Sequence, residues 1–98
     1  MSFELIFSAE AKEKLRELKY SRNLGKRYKA VLNALDKLSQ NPRYPSLQTH
    51  EYESIFGPNG EKVFEAYAEN NTPKAYRVFF YYGPDKNYLT IYTILPHP

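Results

Sequence analysis

Ala75-Tyr76-Arg77-Val78-Phe79-Phe80-Tyr81-Tyr82 is a run of β-branched and aromatic residues interrupted by one cation. Its composition predicts a β-strand, because such side chains pack well on a pleated, half-buried surface. A guanidinium in that strand needs a reason, since an unpaired charge in an apolar layer costs several kcal/mol. Arg77 therefore meets a carboxylate or faces a side of the sheet that an anion reaches. Alternation puts Tyr76, Val78, Phe80 and Tyr82 on one face and Arg77, Phe79 and Tyr81 on the other.

The neighbouring segments extend the same sheet. After the turn Gly83-Pro84-Asp85-Lys86-Asn87, residues 88–95 read as a strand, followed by Pro96-His97-Pro98. Before it, residues 62–69 read as a strand joined to residues 74–82 through Asn70-Asn71-Thr72-Pro73, and both connections suit hairpins. In residues 62–69, Phe64, Ala66 and Ala68 alternate with Val63, Glu65, Tyr67 and Glu69. Grouping the charged sets gives one face of Glu65, Tyr67, Glu69, Arg77, Phe79 and Tyr81.

Upstream, Phe3-Glu4-Leu5-Ile6-Phe7 reads as a short strand, and Ser8 is placed to cap a helix running to about Tyr20. Ala11, Leu15 and Leu18 form its apolar face, with Lys12, Arg16 and Lys19 outward. A second helix carries the stripe Tyr28, Val31, Leu32, Leu35 and Leu38 and ends before Asn41-Pro42. Residues 41–60 have no sustained period and are read as a long loop. The expectation is a single α+β domain over residues 1–98. It has two layers in the order β-α-α-β-β-β, with a helical hairpin on one face of a mainly antiparallel four-stranded sheet and the other face uncovered.

Composition limits the partners. Hydrophobic residues at 42% and charged residues at 26% are globular values, and the absence of cysteine excludes disulfides and thiolate metal sites. No metal site and no cofactor are expected. Gly57-Pro58-Asn59-Gly60 lacks the strand, helix and lysine of a phosphate loop and reads as a turn. The opening residues lack a signal-peptide pattern and no stretch is apolar enough to span a bilayer, so the expected setting is cytoplasmic with no membrane partner. Residues 1–50 carry ten Lys/Arg against five Asp/Glu, and residues 51–98 carry four against six, which permits phosphate contacts without requiring them.

Four segments in this order resemble the RelE/ParE toxin superfamily: Leu38-Ser39-Gln40-Asn41-Pro42-Arg43, Pro45-Ser46-Leu47-Gln48-Thr49-His50, Tyr76-Arg77-Val78-Phe79-Phe80-Tyr81 and the terminal strand ending near His97. The resemblance covers nearly the whole chain. It implies the toxin of a type II toxin–antitoxin system, neutralised by a cognate antitoxin. RelE-type members cleave mRNA on the ribosome, whereas ParE-type members inhibit gyrase. By the RelE-like match, Arg77 contacts the scissile phosphate and His97 is the general acid. Cleavage by the RNA's own 2′-hydroxyl needs a base, fixed positive charge and an acid, and no metal.

Residues 63–69 depart from the pattern by carrying carboxylates where many RelE-like nucleases carry cations. Glu65 is thus either the general base or the partner of Arg77 in a cross-strand ion pair that leaves no catalytic site. Arg43, His50 and Lys62 are the candidate contacts to substrate, weighed against ordinary solvated surface. Tyr67, Phe79 and Tyr81 are the candidate base-stacking rings, weighed against an aromatic core. Lys26-Arg27-Tyr28-Lys29 reads as a solvated helix face. Two functions follow: a metal-independent mRNA endoribonuclease, or a non-catalytic binding protein on the same scaffold, either a gyrase inhibitor or an antitoxin-binding domain.

Overall fold

The computed structural model describes residues 2–98. Ser8 starts the first helix as its position predicts: its Oγ accepts from the Ala11 N–H at 2.9 Å and donates to the Tyr92 carbonyl at 2.7 Å. One hydroxyl thereby caps helix α1 (Ala9–Tyr20) and ties it to the sheet. Helix α2 (Gly25–Gln40) buries Val31, Ala34, Leu35 and Leu38. Leu32, read as part of that stripe, is 40% exposed, and Ala34 takes the inward position.

The sheet has five strands, not the four expected: β1 (Glu4–Phe7), β2 (His50–Phe56), β3 (Lys62–Tyr67), β4 (Tyr76–Tyr82) and β5 (Tyr88–Pro96). Their order is β1-β5-β4-β3-β2, with β1 parallel to β5 and every other pair antiparallel. The additional strand lies within residues 41–60, read from sequence as loop. Its register slips between Glu51 and Phe56, and Tyr52 and Ile55, three residues apart, pack on the same cluster. A bulge shifts the parity of a strand, so the alternation that reveals strands is absent from this one.

One sheet face carries the helices. Ala66, Val78, Phe80, Leu89, Ile91 and Ile94 form a single core with Ala11, Leu18, Val31 and Leu38. The opposite face was expected to be uncovered, and it is not. Val63, Phe79 and Tyr81 are buried there under Tyr52, Ile55, Tyr92 and Leu95. Two irregularities accompany this cover: the slip in β2, and a shift in the β4–β5 pairing, where Phe79↔Thr93 and Phe80↔Ile91 leave Tyr92 unpaired. The Tyr92 ring stands edge-on to Tyr81 at 5.9 Å, and Tyr52 edge-on to Phe79 at 5.0 Å. Bulges sharpen local twist, and a twisted strand brings its side chains over its neighbours.

Among the described residues no helix is long and apolar enough to cross a membrane. Because Ser8 both caps α1 and bonds to β5, Ser8→Ala is expected to lower folding stability by about 1–2 kcal/mol, more than a solvent-exposed cap would. Urea denaturation of the two proteins measures this. A loss near zero would mean that the hydroxyl is not an anchor.

Candidate functional site

Glu65 and Arg77 lie on the same sheet face, two rungs apart in the ladder, since Glu65 stands opposite Phe79 and Tyr67 opposite Arg77. Their side chains meet on this diagonal. Arg77 Nη1 donates to Glu65 Oε2 at 2.5 Å, and Nη2 donates to the Pro96 carbonyl at 3.2 Å. The guanidinium also lies 4.9 Å from the centre of the Phe79 ring, a cation–π contact. Both charged residues are buried, with 3% of Glu65 and 8% of Arg77 exposed. Arg77 Nε is buried without a hydrogen-bond partner.

The second oxygen of Glu65 is also taken. His50, directly opposite Glu65 in the β2–β3 pair, places Nε2 2.6 Å from Oε1. Its Nδ1 is 2.8 Å from the Gln48 carbonyl. Both ring nitrogens thus face oxygen atoms of the protein. Gln48 adopts a left-handed φ of 49°, which turns the chain from the 3-10 turn Pro45–Leu47 toward β2 and presents that carbonyl. The result is a continuous chain of contacts from Gln48 through His50, Glu65 and Arg77 to Pro96, crossing β2, β3, β4 and the end of β5.

His97 lies just beyond this chain. Its backbone N–H donates to the Ala75 carbonyl at 2.8 Å, which continues the β4–β5 pairing, and its exposed ring contacts the Pro98 carbonyl at 3.1 Å. His97 also lines a cleft of about 680 Å³, together with Tyr67, Glu69, Asn70, Asn71 and Lys74. Tyr67 joins cleft and charge chain, its ring 5.8 Å from that of His50.

The other sequence candidates are dispersed. Lys62 is exposed at the opposite end of β3, across from Phe56. Arg43 is exposed in the turn after α2, where its backbone N–H donates to Asn41 Oδ1. Phe79, 1% exposed, and Tyr81 sit inside the second cluster, where neither ring has an open face for a base. Arg27, read as solvated, turns inward: Nη1 donates to Glu69 at 2.8 Å and Nη2 to the Pro73 carbonyl at 3.0 Å. Sequence reading missed this tie and the cleft wall at residues 70–74. The polar run Asn70-Asn71-Thr72, without an apolar residue to bury, was the available signal.

Chemically, the corner combines a fixed cation, a carboxylate and two imidazoles, the groups used in proton transfer and anion stabilisation. In the arrangement seen, the carboxylate and the guanidinium are engaged with protein and His97 is accessible. Among the described residues no cluster of side chains suits a metal ion.

No protein-family model matches the chain, and no curated protein matches it in sequence. Solved structures do match. The YoeB/ParE toxin from Agrobacterium tumefaciens superposes with a TM-score of 0.71 at 6% identity, covering 98% of this chain and 100% of that one. RelE in the archaeal RelE–RelB complex from Pyrococcus horikoshii gives 0.65 at 14% identity, covering 98% and 96%. The intact RelBE toxin–antitoxin complex of E. coli gives 0.64 at 10% identity, covering 99% of both chains. The fold of this chain is that of the RelE/ParE toxin superfamily, in agreement with the sequence resemblance.

Removing one member of a buried pair strands the other, so Glu65→Leu is expected to cost about 3–5 kcal/mol of stability. The double variant Glu65→Leu, Arg77→Met should recover most of that loss. A double-mutant cycle by urea denaturation reads the coupling, and a Glu65→Leu cost below about 1 kcal/mol would reduce the pair to an exposed-type contact.

Proposed function

We propose that this chain is the toxin of a type II toxin–antitoxin pair, acting as a metal-independent endoribonuclease on mRNA, with the ribosome as the expected site of action. The fold it shares with RelE and YoeB supports the toxin role. Two of the three structures named above are complexes with a partner, RelE–RelB and the RelBE toxin–antitoxin complex, which supports a cognate antitoxin for this chain. The observation that carries the enzymatic reading is the Glu65 carboxylate, held between His50 and Arg77 at one end of the sheet, with exposed His97 one residue beyond the Pro96 carbonyl that Arg77 contacts.

In the reaction, the RNA 2′-oxygen attacks the adjacent phosphorus while the bond from phosphorus to the 5′-oxygen breaks, leaving a 2′,3′-cyclic phosphate and a 5′-hydroxyl. Glu65 accepts the 2′-proton once the incoming strand displaces His50 from Oε1. Arg77 supplies fixed positive charge toward the phosphorus, and His97 protonates the departing 5′-oxygen. Each step uses side chains alone. Arginine keeps its charge at every working pH, and a proton donor positioned at the leaving oxygen contributes roughly 10²–10⁴ in rate.

A second reading has its own observation. Both Nη groups of Arg77 are held by protein oxygens and its side chain is buried, as in a structural ion pair. On that reading the chain binds its antitoxin, or inhibits gyrase, without cutting RNA. The two separate in one experiment with translating ribosomes and purified protein. Cleavage of mRNA by wild type, reduced about 10²–10⁴-fold in His97→Ala, supports the enzyme. Equal, background-level cutting by wild type and by the Arg77→Ala, His97→Ala double variant removes it, and gyrase supercoiling and co-purification with the neighbouring gene product then distinguish the binding functions.

A further inference from the structure

Resting on the ribonuclease reading, we propose that the cleft between residues 70–74 and His97 receives one unstacked base of single-stranded RNA beside the bond to be cut. In this pocket Tyr67 provides the stacking surface and the loop asparagines read the base edge.

Four observations carry this. The cleft, about 680 Å³, falls within the range of roughly 300–1,000 Å³ typical of pockets that enclose a small organic group. Its lining is suited to a nucleotide rather than to an apolar peptide. Tyr67 offers a half-buried ring, Asn70 and Asn71 offer amides that match the donor and acceptor edges of bases, and Lys74 and His97 offer positive or protonatable groups for phosphate. Glu69, the one acidic residue in the wall, is paired with Arg27 at 2.8 Å, so it does not oppose an incoming phosphate as a free carboxylate would.

The wall is also held in place before any ligand arrives. Arg27 fixes the loop through Glu69 and the Pro73 carbonyl, Asn70 Nδ2 donates to the Ser46 carbonyl at 3.0 Å, and the Ala75 N–H donates to the Thr72 carbonyl at 3.1 Å. Within this frame Asn71 and Lys74 adopt left-handed φ values of 58° and 56°. Asparagine tolerates that conformation; lysine rarely adopts it, and such backbone persists where surrounding contacts over-determine it. Finally, the pocket touches the proposed chemistry from both sides: Tyr67 lies against His50, and His97 belongs to the wall. A base seated here positions its own sugar and phosphate near the imidazoles.

The test uses fluorescence anisotropy with a short labelled single-stranded RNA carrying 2′-O-methyl groups throughout, so that binding is read without cleavage. Wild type should bind in low salt. Tyr67→Leu should weaken binding by about 5- to 100-fold, the range for loss of one base–aromatic stack, while Tyr67→Phe keeps it. Phe56→Leu, an exposed ring at the far end of β2, should bind as wild type does. Asn71→Ala, on an exposed loop, should bind but change the ranking of the four homopolymers, which keeps the idea testable if Tyr67→Leu fails to fold. Tyr67→Leu binding as tightly as wild type, or an unchanged ranking in Asn71→Ala, overturns the pocket even if the wild type cuts mRNA. Selective loss in Tyr67→Leu from a protein that cuts nothing supports the pocket and removes the ribonuclease reading alone. Absence of RNA binding by wild type, or capture of a peptide in the cleft in its place, overturns the pocket.

Discussion

The Glu65 carboxylate is the contact on which the rest of this molecule depends. It lets the central strand β4 carry a guanidinium among aromatic residues, because the charge of Arg77 is met by an opposite charge and by the Pro96 carbonyl. The contact is diagonal, so it requires the register in which Tyr67 faces Arg77. A slip by one residue would turn either side chain to the helix-covered face and leave both charges buried alone. The pair therefore contributes to choosing the register of the sheet, beyond what it adds to stability. Through His50 and Pro96 it also fixes where β2 begins and where β5 ends.

That placement decides where chemistry can occur. The helix-covered face is filled by the main core, and the other face is filled by Val63, Phe79, Tyr81 and the side chains over them. Both clusters are apolar. The corner at the β3–β4 connection is different: its walls are amides, an imidazole, a phenol and an ammonium, on backbone held by Arg27 and Ser46. Rigid backbone with mixed polar side chains suits recognition, because little ordering remains to be done when a ligand arrives.

Much of this was legible in the sequence. The helical hairpin followed from Ser8 and two apolar stripes, and three strands followed from alternation. That Glu65 and Arg77 share a face needed only the two-residue period of a strand. Their burial was not legible, since it depends on cover from beyond the two strands that carry them. β2 was hidden by its own irregularity: with Tyr52 and Ile55 on one cluster, the segment shows neither a period of two nor one of 3.6. The cleft was hidden for another reason. Asn70-Asn71-Thr72-Pro73 reads correctly as a hairpin connection, but its role as a wall depends on Arg27, more than forty residues away in sequence, and no local pattern marks a long-range ion pair.

On the proposed ribonuclease reading, the same carboxylate would shape how a phosphate meets this corner. Lys74 and His97 are exposed at this corner, whereas Arg77 is buried and paired with Glu65. For Arg77 to face phosphorus, Glu65 must release at least one contact, and an isolated release would leave a buried charge unpaired. Exchange avoids that penalty. A phosphate oxygen would take the place of the carboxylate on the guanidinium fork, so that the buried cation keeps an opposite charge. His50 holds the other carboxylate oxygen in the resting arrangement, and its own anchor is the Gln48 carbonyl rather than a second charge. The exposed histidine is thus the member of the chain that can move while Glu65 stays paired with Arg77, and on the ribonuclease reading its displacement would come first.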